Sequence, residues 1–443
     1  MSTARALAWP ERLSLWLYGG LTRALQPWVR RRLHRRAERE PLYGQHLPER
    51  FGYYSGEKPE PGWVWVHAVS LGETRAAAIL LPALRAAWPD MRLLLTHGTA
   101  TGREQGRSLL QPGDVQAWAP WDTPEAVARF LAHFRPRIGL LMETEVWPQW
   151  VEGCQQAQVP LVLLNARLNA RSAARARRLA WLSRPAYGRL QGVLAQSPPD
   201  AERLRALGCA VLQVTGNLKF DVRLDPAHTA VARQWQAAWG ERPVLMLASS
   251  REGEEALWLE AWRTARSHLD PDHRMLWLLV PRHPQRFDEV HALLQAAGLR
   301  VVRRSGWGSS GPSATDCAQA DVILGDSLGE MPVYYHASRL ALMGGSFAPL
   351  GGQNLIEAMA CGCPVILGPS VYNFAEAAEW ALQAGAAVQV SDFSLALEQS
   401  KAWIHRPAEL AQAAQAGLDL IGRQQGAVQA TVQGLAHYWA PKP

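Results

Sequence analysis

The sequence lacks the features that mark most secreted, membrane-spanning and zinc-binding proteins. Only five cysteines occur in 443 residues, and the single C-x-C pair has no second pair or histidines at zinc-site spacing. We therefore predict reduced core thiols in a cytosolic setting. The N-terminal apolar stretch, residues 13–21, is shorter than the ~20 residues that span a bilayer, and no small-residue cleavage site follows it. A secretory signal peptide is therefore not expected.

Common phosphate-binding and metal-binding motifs are absent as well. No G-x-G-x-x-G follows a domain's first predicted strand, and no G-x-x-x-x-G-K-[ST] occurs, which excludes a P-loop nucleotidase. The D-x-D at residues 270–272 precedes a predicted strand, where a turn is expected, so we interpret it as a turn. We expect neither a metal nor a cofactor.

A strongly basic segment lies near the N-terminus. The net charge is +7, and five arginines cluster directly behind an apolar, aromatic stretch, at Arg30, Arg31, Arg32, Arg35 and Arg36. Together with Trp9, Trp16, Tyr18 and Trp28 they suit an interfacial helix held to anionic headgroups. The alternative is a basic helix packed on its own domain. We predict that residues 1–40 form an amphipathic, membrane-associating segment.

Apolar runs of strand length alternate with helical patterns along the rest of the chain. Such strands predict parallel sheets covered by helices on both faces. The predicted strands are residues 64–68, 92–96, 137–142, 160–165 and 192–196 in the first half, and 243–249, 275–280, 320–325, 338–345 and 363–368 in the second. The fold class is therefore α/β, with two Rossmann-like domains facing each other across a cleft. We place the domains at 41–220 and 243–443, with a linker at 221–242.

Ligands of such sheets bind beyond the carboxyl ends of the strands, so the residues that follow each strand are candidates for chemistry. Glu73 follows the first strand at a helix start, where it could equally be a helix cap. Glu143 and Glu145 follow another strand, and the alternative there is one cap and one solvated carboxylate. The remaining clusters contain Lys219, Arg282 with His283, and Glu330 within "GDSLGEM". Arginine is the natural reader of phosphate and carboxylate.

A glycine-rich stretch, "GGSFAPLGGQNLIEAMACGCPVILG", spans residues 344–368. It is predicted to run from strand through loop and helix to strand, with the helix starting near Asn354. Glycines let the backbone approach a phosphate, and the free N–H groups of a helix start attract the anion. Glu357 lies one turn further along the same helix face, where its carboxylate could accept from ribose hydroxyls. This is the donor-nucleotide corner of two-domain glycosyltransferases.

An ordered set of motifs resembles the 3-deoxy-D-manno-octulosonic acid (Kdo) transferase family of lipopolysaccharide synthesis. The motifs are "HAVSLGE", "METEVWP", "NARL", "GNLKFD", "PRHPQRF", "GDSLGE" and "GGSFAPLGGQNLIEA", from about residue 49 to about residue 385. The resemblance implies a GT-B fold, CMP-Kdo as donor, a lipid A precursor as acceptor, and a position on the cytoplasmic face of the inner membrane. It further implies an acceptor-binding N-terminal domain and a CMP-Kdo-binding C-terminal domain.

The resemblance also implies roles for individual residues. Glu73 matches the family's proton acceptor, and Glu143 and Lys219 match residues assigned to transition-state stabilisation. The CMP-Kdo site then comprises Pro281, Arg282, His283, Leu328, Gly329, Glu330, Gly345, Ser346, Asn354, Leu355, Ile356 and Glu357. Since an ordinary glutamate pKa is near 4.3, we expect Glu73 to be ionised at pH 7. The predicted partners are CMP-Kdo, a lipid A precursor and anionic inner-membrane lipids, without nucleic acid.

Two positions depart from the family pattern. Gln353 stands where the family usually has histidine, and Arg251 replaces the histidine of a typical S-T-H-x-G-E-E. Two alternatives remain open at this stage. A GT-B enzyme that uses a UDP-sugar would share the two domains and the 354–357 corner, and a basic membrane-binding or nucleic-acid-binding protein would share the arginine cluster. Competition between CMP and UDP tests the first, and liposome flotation against a DNA shift tests the second.

Overall fold

The computed structural model describes residues 7–222, 224–272, 274–308 and 311–439. The chain divides into two compact units. Within the described residues, unit 1 comprises 7–221 and 425–439, and unit 2 comprises 222 and 224–424 without the gaps above.

Unit 1 is built on a parallel sheet with strand order β3-β2-β1-β4-β5-β6-β7. Its strands are β1 Val64–His67, β2 Leu93–His97, β3 Val115–Trp118, β4 Ile138–Met142, β5 Leu161–Ala166, β6 Gly192–Ala195 and β7 Val211–Val214. In register, His67 of β1 lies opposite Thr96 of β2 and Leu141 of β4. The carboxyl ends of the three central strands therefore meet at one edge of the sheet.

Helices cover both faces of this sheet. They are α1 Trp9–Ala24, α2 Gln26–Arg39, α3 Leu71–Ala87, α4 Ala100–Arg107, α5 Pro124–Phe134, α6 Pro148–Gln156, α7 Ala170–Arg178, α8 Ala180–Tyr187 and α9 Pro198–Ala206, with 3-10 turns at Pro41–Tyr43, Leu47–Phe51 and Leu218–Phe220. Caps fix where they begin: the Thr123 hydroxyl accepts from Ala126 N–H at the start of α5, and Pro124 follows it. Hydrophobic clusters lie on both faces, as expected for strands buried on two sides.

Unit 2 repeats this architecture with strand order β10-β11-β9-β8-β12-β13-β14, all parallel. Its strands are β8 Val244–Ser250, β9 Leu276–Pro281, β10 Val301–Arg303, β11 Val322–Leu324, β12 Leu340–Met343, β13 Val365–Leu367 and β14 Ala387–Gln389. Its helices are α10 Pro226–Trp239, α11 Glu254–Leu269, α12 Phe287–Ala296, α13 Ala314–Gln319, α14 Met331–Ala337, α15 Leu355–Ala360, α16 Ala375–Ala384, α17 Phe393–His405 and α18 Pro407–Gln424, with 3-10 turns at Pro284–Arg286 and Arg304–Gly306.

The ten strands predicted from the sequence are present, each within about two residues of its predicted ends. Four further strands were missed, namely β3, β7, β10 and β14. Each is an edge strand of its sheet. Edge strands are buried less completely, and β7 and β10 contain no fully buried residue. A strand without a continuous apolar run gives no strong periodic signal.

The predicted domain boundaries differ from the structure at two places. The predicted linker, 221–242, contains α10, whose Trp235 and Trp239 are buried in unit 2. The last helix, α19 Ala427–Trp439, belongs to unit 1 and not to the second domain as predicted. Asp221 accepts from the backbone N–H groups of Gly426 and Val428 at the start of α19. Trp439 stacks on Trp88 of α3 with ring centroids 4.2 Å apart.

The N-terminal segment packs one face against the rest of unit 1 and exposes another face. Residues 1–6 of the predicted segment lie outside the described residues. The Ser14 hydroxyl donates to the carbonyl of Trp181, and the Gln149 side chain donates to that of Leu15, each at 2.9 Å. The exposed face carries large apolar side chains, with Trp9 74%, Trp16 69% and Trp28 59% exposed. Among the described helices, none combines the length and apolarity needed to cross a membrane.

Two smaller expectations agree with the structure. The five cysteines all fall among the described residues, and each is buried and free. Asp270 begins a turn, and its carboxylate accepts from the backbone N–H of Arg274 at 2.7 Å.

Candidate active site

Glu73 lies at the carboxyl edge of the unit 1 sheet, in the first turn of α3. Ser70 is the N-cap of this helix, and its hydroxyl accepts from Glu73 N–H at 3.4 Å. Glu73 Oε2 accepts in return from the backbone N–H groups of Ser70, at 3.4 Å, and Val69. This is a capping box, so the alternative reading of Glu73 as a helix cap is correct in its geometry. The same bonds hold the carboxylate in one orientation.

The environment of Glu73 contradicts the expectation that it is ionised at pH 7. The side chain is only 8% exposed. Burial and, to a lesser extent, the negative charges of Glu145 and Glu143 together raise the pKa of Glu73 to about 8, although the two backbone hydrogen bonds act in the opposite direction. The prediction was wrong because it considered the helix start, which favours the ionised carboxylate, and not the burial of the side chain, which disfavours it. A carboxyl with a pKa near the working pH can both take and hold a proton.

Glu143 lies directly after β4 and is neutralised by two cations. It is 2% exposed, and its backbone is in the left-handed region, at φ 57°. Lys219 Nζ lies 2.9 Å from Oε1, and Arg167 Nε lies 2.8 Å from Oε2. The structure thus brings together Glu143 and Lys219, which the sequence separates by 76 positions. Arg167, the arginine of "NARL", was not assigned a role, although it directly follows β5.

Two asparagines hold Lys219 in place. The Asn165 side chain accepts from Leu218 N–H at 3.0 Å, and the Asn217 side chain accepts from Lys219 N–H at the same distance. Asn165 is fully buried at the end of β5, with φ 50°. The 3-10 turn that carries Lys219 is therefore fixed to the sheet edge by its own backbone.

In unit 2, the glycine-rich loop after β12 is organised around a buried carboxylate. Glu254 is 0% exposed and accepts from the N–H groups of Gly345 at 2.6 Å, Phe347 at 3.0 Å and Ala348 at 3.2 Å. Arg251 N–H donates to it as well, at 2.8 Å. Burial raises the pKa of Glu254, and these four bonds act against the rise. The N–H groups of this loop thus donate to a side chain of unit 2 itself, whereas the N–H groups predicted to attract phosphate are those of the helix start near Asn354.

A second buried carboxylate, Glu255, connects the end of β8 with the 3-10 turn that follows β9. Arg286 of "PRHPQRF" binds Glu255 through two hydrogen bonds, at 2.8 and 3.0 Å. The Ser250 hydroxyl at the end of β8 donates to the same carboxylate at 2.6 Å. Both Glu254 and Glu255 were missed by the sequence analysis. Their signal was the run of two acidic residues at the start of α11, four positions after the last residue of a buried strand.

The residues predicted to bind the donor occupy three carboxyl-end loops of the unit 2 sheet. Pro281 is buried at the end of β9, and Arg282 and His283 are half-buried after it. Burial lowers the pKa of His283, and the charges of Arg251 and Arg282 lower it further. Arg251, Arg282 and His283 therefore form a positively charged group, in which the two arginines carry the charge and His283 is neutral at pH 7. An anion is favoured beside such a group.

The second loop follows β11 and contains Leu328, Gly329 and Glu330. Leu328 is 73% exposed, and Gly329 is left-handed at φ 82°. Glu330 accepts from Arg304 at 2.6 Å and from the Ser327 hydroxyl. Its carboxylate is thus already paired, and Arg304 is a further residue that the sequence did not indicate.

The third loop leads into α15. The Asn354 side chain caps this helix by accepting from Ile356 N–H at 3.2 Å. Leu355 and Ile356 are buried in the core, so only their backbone can meet a ligand. Burial raises the pKa of Glu357, and the charge of His228 lowers it in part.

Ser346 and Gly345 shape the same loop. Ser346 is fully buried, and its hydroxyl accepts from Gly368 N–H at 2.7 Å and donates to the Met343 carbonyl. Its side chain therefore serves the loop. Gly345 is left-handed at φ 69°, and a Cβ there would lie 3.1 Å from Gln353 Nε2 and 3.6 Å from Arg251 Cγ. The two departures from the family pattern, Arg251 and Gln353, thus flank one glycine.

The two units together define a GT-B-type α/β protein, in which one unit presents carboxylates and lysine and the other an anion-favouring edge. Among the described residues, no group of three or more His, Cys, Asp or Glu side chains is arranged to hold a metal ion. The crystal structure of UDP-GlcNAc 2-epimerase from Neisseria meningitidis bound to UDP-GlcNAc superposes with a TM-score of 0.52, over 84% of this chain and 99% of that one, at 16% identity. This likeness confirms the predicted GT-B fold.

The sequence comparisons identify the family. The family model described as 3-Deoxy-D-manno-octulosonic-acid transferase (kdotransferase) matches residues 45–222. The 3-deoxy-D-manno-octulosonic acid transferase of Bordetella pertussis is 46% identical over 94% of this chain and 96% of its own length. That of Haemophilus influenzae is 30% identical over 90% of this chain and 93% of its own. The chain belongs to the 3-deoxy-D-manno-octulosonic acid transferase family, and it is a glycosyltransferase, as its motifs predicted.

The negative charge of Glu145 contributes to the raised pKa of Glu73, and kinetic measurements can test this contribution. A carboxyl with a raised pKa is protonated below that pKa, so a base role for Glu73 requires activity to rise with pH through about 8. The Glu145→Gln variant removes one negative charge that raises the pKa, so the rise should move to lower pH. The check is kcat/KM between pH 5.5 and 9.5. The Glu152→Gln variant, whose carboxylate pairs with Arg189 elsewhere in unit 1, is the control. An unshifted profile in Glu145→Gln would contradict the assignment.

The four backbone bonds to Glu254 predict that this side chain holds the loop. The Glu254→Gln variant sets an amide NH₂ against N–H donors, and loss of a buried hydrogen bond costs about 1–3 kcal/mol. We expect a lower melting temperature and faster amide hydrogen exchange at residues 345–348. The matched control is Glu252→Gln, since Glu252 is two positions away, exposed, and paired only with Arg251 among the described side chains. Equal behaviour of the two variants would show that the loop does not depend on Glu254.

Proposed function

We propose that this protein transfers Kdo from CMP-Kdo to a hydroxyl of a lipid A precursor in lipopolysaccharide biosynthesis, with inversion at the anomeric carbon. The observation that carries this proposal is the buried Glu73 carboxyl, fixed by Val69 and Ser70 at a sheet edge, where burial helps to raise its pKa to about 8. An inverting transfer needs one such base for the acceptor hydroxyl.

The bond changes balance without a further reactant. Glu73 in its carboxylate form takes the proton of the acceptor hydroxyl, and the oxygen attacks the anomeric carbon of Kdo. The bond from that carbon to the CMP phosphate breaks, and CMP leaves with the electron pair. Because CMP leaves as a stable phosphate anion, no proton donor is needed on the leaving side. The proton stays on Glu73 until it is lost to solvent.

Lys219 and Glu143 support the charge that develops during this step. Glu143 is held by Lys219 and Arg167, so this part of unit 1 combines a fixed negative charge with two cations. Preorganised charges of this kind stabilise a transition state because they need no reorientation during the reaction. We assign both residues to transition-state stabilisation.

The donor nucleotide is assigned to unit 2. Arg282, beside Arg251 and a neutral His283, supplies positive charge for phosphate, and the start of α15 at Asn354 adds backbone N–H groups. The remaining predicted donor residues lie on the same sheet edge, with Ser346 acting through loop shape. The proposal requires no metal, since these groups meet the leaving charge.

The exposed face of α1 and α2 is assigned to the cytoplasmic face of the inner membrane. Its tryptophans suit the headgroup region, and the arginines of α2 attract anionic lipids. The exposed Leu179 and Trp181 adjoin it, because Trp181 bonds Ser14 of α1. The end of α7 adds Arg175, Arg177 and Arg178.

Incubation with CMP-Kdo and a tetra-acylated lipid A precursor tests the function. Mass spectrometry should show the precursor with added Kdo, together with CMP. The Glu73→Gln variant keeps an oxygen for the capping box but removes the base, so transfer should fall by about 10²–10⁴-fold with little change in melting temperature. UDP-sugars serve as control donors. No product with the native chain, or full activity in Glu73→Gln, would overturn the function or the base, respectively.

Sedimentation with liposomes tests the membrane assignment. Vesicles with anionic lipids should bind the full chain, and binding should weaken as salt screens the arginines. The double variant Trp9→Ser with Trp16→Ser removes two exposed anchors and should reduce binding at least about tenfold. The control replaces Tyr53, which is exposed elsewhere on unit 1, with serine. Equal binding of both variants would contradict attachment through α1.

A further inference from the structure

Unit 1 contains a cavity of about 190 Å³ between its N-terminal helices and the carboxyl edge of its sheet. Val29 and Leu33 of α2 form one wall, and Trp147 and Trp150 contribute to another. For scale, an engineered cavity of about 150 Å³ lined by apolar side chains binds benzene. This cavity is therefore large enough for a small apolar group or for part of an acyl chain.

The polar groups that line the cavity are mostly engaged with the protein. Asp122 accepts from the N–H groups of Gln149 and Trp150, at 3.3 and 3.0 Å. Glu145 accepts from Trp147 Nε1 at 2.8 Å. The lining is mostly apolar surface, so a ligand that is apolar along the part it buries fits it, whereas a polyhydroxy group would leave hydroxyls unsatisfied.

The cavity lies beside the base and beside the surface helices. Val69 lines it, and the N–H of Val69 donates to the Glu73 carboxylate. Val29 lines it from α2, and the neighbouring Trp28 is 59% exposed on the apolar face of the N-terminal segment. A ligand in this cavity thus has one end close to Glu73 and the other close to an apolar, arginine-flanked surface.

We propose that this cavity binds an acyl chain of the acceptor and thereby sets the acceptor hydroxyl against Glu73. The proposal rests on the function proposed above and adds to it a binding site for the acyl group. The occupant combines an apolar chain, which suits the lining, with a hydroxyl-bearing head within reach of Glu73. An acylated sugar meets both requirements, and a free sugar or a plain hydrocarbon does not.

Filling the cavity tests the proposal. Ala119 lines it, so Ala119→Phe reduces its volume from the sheet side, and Leu33→Phe reduces it from α2 in case the first variant does not fold. Ala83→Phe is the matched control, because Ala83 is a half-buried alanine of unit 1 that does not line the cavity. Melting temperatures establish that each variant is folded.

The first readout is kcat/KM for the acylated precursor against the same headgroup without acyl chains. The native chain and Ala83→Phe should prefer the acylated acceptor. Ala119→Phe should lose at least about tenfold of that preference through KM, since each buried CH₂ contributes to binding, while the deacylated acceptor reacts as before. A general loss of structure would lower both acceptors alike. An unchanged preference in both cavity variants would overturn the proposal.

The second readout separates this site from the function. N-decanoyl-N-methylglucamine, below its micelle concentration, should bind the native full chain saturably, as measured by ligand-observed NMR. Ala119→Phe should weaken that binding, and Ala83→Phe should not. If Kdo transfer occurs but the probe binds all variants equally or none, the cavity proposal fails alone. If the probe binds as expected but no acceptor receives Kdo, the proposed function fails and the acyl site remains.

Discussion

The confinement of three carboxylates, Glu73, Glu143 and Glu145, at one edge of a buried sheet is the constraint on which the site in unit 1 depends. Like charges in a poorly solvated place repel strongly. Glu143 avoids this cost through its ion pairs with Lys219 and Arg167. Glu73 has only backbone donors, which do not outweigh its burial and the neighbouring carboxylates, so its pKa is raised to about 8. The same crowding that would destabilise an ionised Glu73 gives it a proton affinity suited to a base.

Unit 2 uses buried carboxylates for a different purpose. Glu254 accepts hydrogen bonds from backbone N–H groups of the loop after β12 and so holds the loop in place. Glu255 connects the C-terminal end of β8 with the turn at Arg286. In our proposal, the donor phosphate is assigned to other groups, Arg282 and the start of α15. Among the loop glycines, Gly345 approaches the Glu254 carboxylate closely, and its backbone is left-handed at that point. An internal anion in such a loop fixes its shape before a ligand arrives.

The sequence predicted the central strands and the strand-end residues because both leave local signals. Buried parallel strands are continuous apolar runs, and ligand sites follow their carboxyl ends. Contacts between distant segments leave no such signal. Three contacts are of this kind. Lys219 pairs with Glu143, Glu254 accepts from the loop N–H groups, and α19 packs in unit 1. The ionisation of Glu73 was mispredicted for the same reason, since burial and neighbouring charges are properties of the fold and not of the S-x-G-E motif.

The central claim is that Glu73 carries a proton at neutral pH, and direct titration tests it. Carbon-13 NMR of side-chain carboxyls in the labelled full chain, with Glu73→Gln used to assign the resonance, measures its pKa without any substrate. The account predicts a midpoint near 8. A midpoint near the ordinary value of about 4.3 would show that the carboxylates at this edge are solvated or separated in solution, and would contradict the account.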